Sequence, residues 1–211
     1  MSVYYVIGLS EGKGRICIDV MTDDPDDPHR CLYVRPSFVR EHGIKNGTKM
    51  DEELSALAED EHKLGYAILR AADILACGDH SVSRLKQKLV EKGYEREYAE
   101  RAALYMEEKG YIKEAEAAER AARYMLEYKN RGKRRIAADL IAKGYKKVAV
   151  NAAVNSITSE EYYGALQSNL RSKYKEPPAD RREREKRVAA MMRQGFDAGD
   201  ILKAMNEDMD D

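Results

Sequence analysis

One short signature returns at a fixed interval along this 211-residue chain: Lys92-Gly93-Tyr94, Lys143-Gly144-Tyr145 and the variant Gln194-Gly195-Phe196, with the glycines 51 residues apart each time. A helical apolar pattern precedes each glycine: Leu85, Leu89 and Val90, then Ile136, Leu140 and Ile141, then Val188, Met191 and Met192. The spacing predicts three helices that stop in the same way. Glycine at C′ accepts a left-handed backbone without a Cβ penalty, and an apolar residue at C″ folds back on the last turn. Tyr94, Tyr145 and Phe196 hold that C″ place.

A second apolar stripe follows each cap: Tyr98, Ala102, Tyr105 and Met106, then Ala149, Ala153 and Ile157, then Ile201 and Met205. One more helical segment precedes each capped helix, roughly at 63 to 77, 114 to 130 and 160 to 175. Three helices of about 11 to 12 residues plus turns fill such a period. The fold expected is therefore mainly α, an elongated, solenoid-like tandem array of three three-helix repeats. The repeats are placed at 60–112, 113–163 and 164–211.

Residues 1–55 read differently. Val3 to Ile7, Arg15 to Val20 and Cys31 to Val34 are β-rich runs separated by turn residues, which predicts a small antiparallel sheet. Gly12-Lys13-Gly14 would close the first hairpin and Asp23 to Pro28 the second. Pro36 to Arg40 reads as a short helix ended by Gly43, and Ser55 to Asp60 leads into the array. Glu176-Pro177-Pro178-Ala179-Asp180 interrupts the third unit, since proline cannot continue a helix.

With 36% charged residues and a mean hydropathy of −0.69, the chain suits thin repeat units better than one large globule. No apolar run could span a bilayer and no signal peptide begins at Met1, so a cytoplasmic protein that binds no membrane is expected. Cys17, Cys31 and Cys77 form no CxxC pair and cannot pair off evenly, which agrees with a reducing compartment.

The net charge of −1 hides local asymmetry. Acids gather at Asp23, Asp24, Asp26 and Asp27, and again at Asp208, Asp210 and Asp211. Lys129, Arg131, Lys133, Arg134 and Arg135 form one basic run, and Arg181, Arg182, Arg184, Lys186, Arg187 and Arg193 a second one, diluted by Glu183 and Glu185. Charge runs are usually solvated helix faces. The first differs because Gly132 sits where a helix should begin. Cations there oppose the macrodipole, while an incoming anion would be attracted, and this points to a partner.

Several catalytic signals fail. Gly8 to Gly14 lacks the spacing, hydroxyl and following helix of a phosphate loop and reads as a turn. Prolines break the ligand alternation that calcium would need across Asp23 to Asp27. His29, His42, His62 and His80 make no zinc pair at helical spacing, and no glycine-framed serine or Cys-His pairing announces a nucleophile. A binding protein without cofactor or metal is expected rather than an enzyme.

The run Ser83 to Tyr94, then Gly110-Tyr111-Ile112, then Arg131 to Ile136 through Lys143-Gly144, resembles the bacterial RecX family, and Arg193-Gln194-Gly195-Phe196 with Ile201 is similar to that family's final unit. The resemblance covers about residues 60 to 205. It implies a tandem array of three-helix units that binds the RecA recombinase polymerised on single-stranded DNA and modulates, usually inhibits, its recombinase and coprotease activities. Carried over by position, Gly132 to Ile136 matches the family's basic turn, and Arg123 and Arg131 its usual basic positions. Arg123, Lys129, Arg131, Lys133, Arg134 and Arg135 are thus the expected contact residues, with the second basic cluster in support. One departure stands out: after Ile112 the family favours two acids and then an aromatic, whereas this chain has Lys113, Glu114 and Ala117. The partner implied is the RecA nucleoprotein filament, met either through its acidic protein surface or through exposed single- or double-stranded DNA, and the chain itself is expected to be a monomer. Two other readings stay open: a nucleic-acid binder that needs no RecA, against which the sparse aromatics Tyr124 and Tyr128 argue, and a helical scaffold for peptides.

Overall fold

The computed structural model describes residues 3–12 and 14–207. The expected turn residue Lys13 and the acids Asp208, Asp210 and Asp211 lie outside the described residues. Strands β1 (Tyr4–Gly12), β2 (Arg15–Thr22) and β3 (His29–Val34) come first, followed by the short helix α1 (Pro36–Glu41) and strand β4 (Lys49–Met50). Among the described residues nine helices follow in long-short-short order: α2 (Glu52–Ala76), α3 (Val82–Glu91), α4 (Arg96–Glu108), α5 (Glu114–Lys129), α6 (Lys133–Ala142), α7 (Lys147–Asn155), α8 (Ser159–Lys173), α9 (Arg181–Arg193) and α10 (Ala198–Glu207). The protein is mainly helical with a small N-terminal antiparallel sheet, as the sequence leads one to expect.

By contact the chain forms two units, Met1–Gly78 with Leu85–Lys109, and Asp79–Arg84 with Gly110–Asp211. In the first, the antiparallel strands take the order β3-β2-β1-β4. One sheet face buries Tyr4, Val6, Ile18, Val20, Leu32 and Val34 with Phe38, Ile44 and Met50. The phosphate-loop lookalike is mostly strand: Gly8 to Gly12 pair with Asp19 to Arg15. In the second turn Asp24 Oδ1 accepts from the Asp26 amide at 3.0 Å, the local bond that makes Asp a turn residue.

Helix α2 is longer than the segment predicted at 63 to 77 and starts at Glu52. Asp51 caps it, its Oδ1 accepting from the Leu54 amide at 2.9 Å, and Glu52 and Glu53 suit the positive end of the dipole. Its first turns belong to the sheet. Ala58 is part of the sheet's core, Tyr4 Oη donates to Glu59 Oε1 at 2.6 Å, and Arg35 grips Glu61 through two nitrogens at 2.6 and 2.9 Å. Farther along, α2 packs on α4, and the small residues Ala67 and Ala71 of one and Ala99, Ala102 and Ala103 of the other are all buried. Arg101 closes that pair with a bidentate bond to Asp60 at 2.6 and 2.7 Å.

The second unit has a continuous core running from Ala117 and Leu126 through Ile136, Leu140 and Val150 to Leu166, Met191, Phe196 and Ile201. The three expected caps are present with one geometry. The amides of Tyr94, Tyr145 and Phe196 donate back to the carbonyls of Leu89, Leu140 and Met191 at 3.2, 3.2 and 3.3 Å. This is the six-to-one bond of a Schellman turn, and Gly93, Gly144 and Gly195 carry its left-handed φ of 92°, 81° and 93°.

Candidate functional site

The basic turn before α6 is shaped by its neighbours on both sides. Helix α5 ends at Asn130, whose φ of 45° is left-handed, a conformation asparagine tolerates better than most side chains. The buried Asn169 of α8 donates to the Asn130 carbonyl at 2.9 Å and holds that turn in place. Sequence reading missed Asn169, because an asparagine inside a helix announces nothing until the fold supplies its partner.

The far side of the turn rests on the end of α9. The Gly132 amide donates to the Gln194 carbonyl at 2.9 Å and the Arg134 amide to the Gly195 carbonyl at 3.2 Å. A Cβ on Gly132 would fall 2.4 Å from the Gly195 carbonyl, so only glycine permits this approach. The same contact recurs 51 residues earlier within this unit. Ser81 Oγ donates to the Lys143 carbonyl at 2.8 Å, and a Cβ on Gly144 would lie 2.9 Å from the Ser83 Cβ.

A helix start draws anions through its free amides, but two of those at this one, the amides of Gly132 and Arg134, are bonded to the carbonyls of Gln194 and Gly195 just past α9. The negative end of α9 meets the positive end of α6, which offsets the cost of placing bases there.

Lys133, Arg134 and Arg135 are exposed. Their commitments differ. Arg131 and Arg135 both pair with Asp139, whose side chain is only 19% exposed, Arg135 Nε at 3.2 Å. Arg134 makes an exposed 3.3 Å pair with Asp197, a contact worth about 0 to 1 kcal/mol. Lys133 has no ion pair among the described residues. Lys133 and Arg134 therefore remain available to a partner, while Arg131 and Arg135 also serve the fold.

Arg123 is partly buried and bonds Glu161 Oε1 at 3.1 Å. Glu161 closes the capping box that starts α8: it accepts from the Thr158 amide at 2.8 Å and donates its own amide to Thr158 Oγ1 at 3.2 Å. The Thr158 amide first, and then the Arg123 guanidinium, hold the Glu161 carboxyl below the usual carboxylate value. The folded chain thus favours ionised Glu161, so this stabilisation is complete above the ordinary carboxylate pKa and is lost as the pH falls through the lowered value. Glu161→Gln is expected to flatten the acid limb of a helix-loss curve recorded against pH. An acid limb identical to the parent's would show that α8 does not depend on this carboxylate.

Just before the turn, Tyr124 and Tyr128 stack with ring centroids 5.1 Å apart, 53% and 73% exposed, and Lys129 Nζ lies 5.5 Å over the Tyr124 ring. Two aromatics too sparse in the sequence to count as a platform are brought together by their i, i+4 spacing on one helix face.

The second basic cluster is divided by α9. Arg181, Arg182, Lys186 and Arg193 are exposed. Arg184 bonds Asn206 Oδ1 at 2.6 Å beside a groove of about 660 Å³ whose apolar lining includes Val188, Met192 and Leu202. Arg187 is buried: its guanidinium lies 4.4 Å over the Tyr174 ring, bonds the Glu176 carbonyl at 2.7 Å and pairs with Glu183. It pins the proline segment between α8 and α9. Among the described residues, no helix is long and apolar enough to cross a membrane.

No family model matches the chain. It is 32% identical over 149 residues to the regulatory protein RecX of Stenotrophomonas maltophilia strain R551-3, and 31% identical over 149 residues to that of strain K279a. Each match covers 68% of this chain and 88% of the relative. A crystal structure of a regulatory protein RecX superposes with a TM-score of 0.77 at 20% identity, covering 98% of this chain and all of the other. The RecX crystal structure from Lactobacillus salivarius gives 0.61 at 16% identity, over 69% of this chain and 96% of the other.

Proposed function

The chain belongs to the RecX family of regulatory proteins, and on that premise we propose that it binds the filament RecA forms on single-stranded DNA and inhibits its recombinase and coprotease activities in DNA repair. The observation that carries this reading is the pair Lys133 and Arg134, two exposed cations on a turn fixed by Asn169 and by the carbonyls of Gln194 and Gly195. A charged turn that is already ordered loses little entropy when it meets an acidic surface, so more of the contact energy appears as affinity.

In this role the chain acts as a cytoplasmic monomer without cofactor and catalyses nothing. Residues 1–55 precede three helix triads at 60–112, 113–163 and 164–211, which engage successive RecA subunits, so that several weak contacts add in one molecule. Arg123, Lys129 and Arg131 flank the turn, and Arg181, Arg182, Lys186 and Arg193 extend the basic surface. Adding the chain to RecA-driven strand exchange should slow the reaction in proportion to filament occupancy. Full-rate exchange at saturating protein would remove the inhibitory role.

A second reading, direct binding to single-stranded nucleic acid without RecA, is favoured by the Tyr124–Tyr128 stack with Lys129, since bases stack on exposed aromatics for about 1 to 3 kcal/mol each.

A further inference from the structure

The outer face of the N-terminal sheet brings together two of the three cysteines, which sequence spacing kept apart. Strand register sets Asp19 of β2 directly opposite Cys31 of β3, with Cys17 two residues along β2 on the same face. Asp19 Oδ1 accepts from Cys31 Sγ at 2.8 Å and from Cys17 Sγ at 3.5 Å, and the three ligand atoms all lie within 4.8 Å of one another. Thiols are weak donors, so this carboxylate is poorly satisfied by them.

On β1, Gly8 pairs with Asp19, and a Cβ there would come within 3.1 Å of Asp19 Oδ2. The missing side chain leaves a depression of about 290 Å³ open over the carboxylate, lined also by Ile7, His29 and Cys31.

We propose that Cys17, Asp19 and Cys31 form a binding site for a thiophilic divalent cation, zinc, that ties edge strand β3 to β2. Two thiolates and a carboxylate suit zinc, whose tetrahedral bonds of about 2.0 to 2.3 Å set ligand atoms roughly 3.3 to 3.8 Å apart. The Cys17–Asp19 spacing of 3.5 Å already fits that geometry, and the Cys31–Asp19 spacing of 2.8 Å needs to open by less than about 1 Å to reach it. Binding replaces the two thiol protons by the metal, leaving a water or His29, two residues before Cys31 on the same strand face, for the fourth position.

The test uses the whole chain, kept reduced with a non-thiol reductant, and titrates zinc chloride against a chromophoric chelator, with cobalt chloride as a spectroscopic probe. One metal per chain is expected, with a thiolate-to-cobalt charge-transfer band and a melting temperature that rises with zinc. Cys31→Ser, at an exposed position, should lose the band and weaken zinc at least about 100-fold, and Cys17→Ser should do the same. Cys77→Ser, at an exposed cysteine outside the cluster, should behave like the parent. Absence of the band at saturating cobalt, or equal zinc retention by the Cys31→Ser and Cys77→Ser chains, would overturn the site. So would a Cys17–Cys31 disulfide that, once reduced, takes up no metal, since that would mark a redox pair instead.

Discussion

Gly195→Ala is expected to destabilise the second unit by about 3 kcal/mol or more, among the largest effects of any single substitution in the chain. Its φ of 93° alone costs a side chain about 1 kcal/mol. The added Cβ would also lie 2.2 Å from the Arg135 amide nitrogen and 2.6 Å from the Arg135 Cβ. Backbone cannot move aside there without breaking the Gly132 and Arg134 hydrogen bonds to α9. Gly93 supplies the control, since it has a φ of 92° but nothing within 4 Å of an added Cβ. Gly93→Ala should therefore cost only about 1 kcal/mol. Gly144→Val lies between, facing the side chains of Ser81 and Ser83 rather than backbone. At about 2 to 4 °C per kcal/mol for a chain of this size, Gly195→Ala should melt roughly 6 to 12 °C early, and Gly93→Ala within about 4 °C of the parent. Equal losses at Gly93 and Gly195 would mean that the cap conformation alone matters and the docking of α6 on α9 contributes nothing.

Reversing Lys133 and Arg134 to glutamate is expected to abolish inhibition of RecA while keeping the helical signal. Both side chains are exposed and only the Arg134–Asp197 pair is lost, so the stability cost should stay within about 0.5 kcal/mol per site. Arg135 is left intact on purpose, because Arg135→Glu would set a like charge one helical turn from the largely buried Asp139. Filament binding should weaken by about tenfold or more per reversed contact, a loss of roughly 1.4 kcal/mol each. If the two cations meet DNA phosphates, the slope of log affinity against log salt should shrink by about 0.7 per contact removed on a single strand. If they meet RecA carboxylates, the salt slope should be shallower and should change little in the double mutant. A double mutant that folds and still inhibits strand exchange would make this turn a solvated face and move the functional surface to another helix triad.

The helices and their three matching caps were legible because each Schellman turn writes its requirement locally, a glycine followed by an aromatic after an apolar stripe. The start of α2 was not. Its cap, Asp51, is one acid among several, and its first turns are held by Tyr4 of β1, Arg30 of β3 and Arg35 just after it, all distant in sequence. The basic turn could be found by composition, but not how its cations are used. Asp139 binding Arg131 and Arg135, and Arg187 turned onto Tyr174, depend on neighbours that only the fold supplies. The same holds for Cys17, Asp19 and Cys31, whose proximity follows from the register of β2 on β3 rather than from any motif.

Co-sedimentation of the chain with RecA alone, with single-stranded DNA alone, and with both is the most direct measurement of the proposed role. Binding should be strongest when RecA and DNA are present together, and the Lys133→Glu/Arg134→Glu chain should stay in the supernatant under the same conditions. Equal pelleting with DNA whether or not RecA is present would contradict the account and favour a nucleic-acid binder acting through Tyr124, Tyr128 and Lys129.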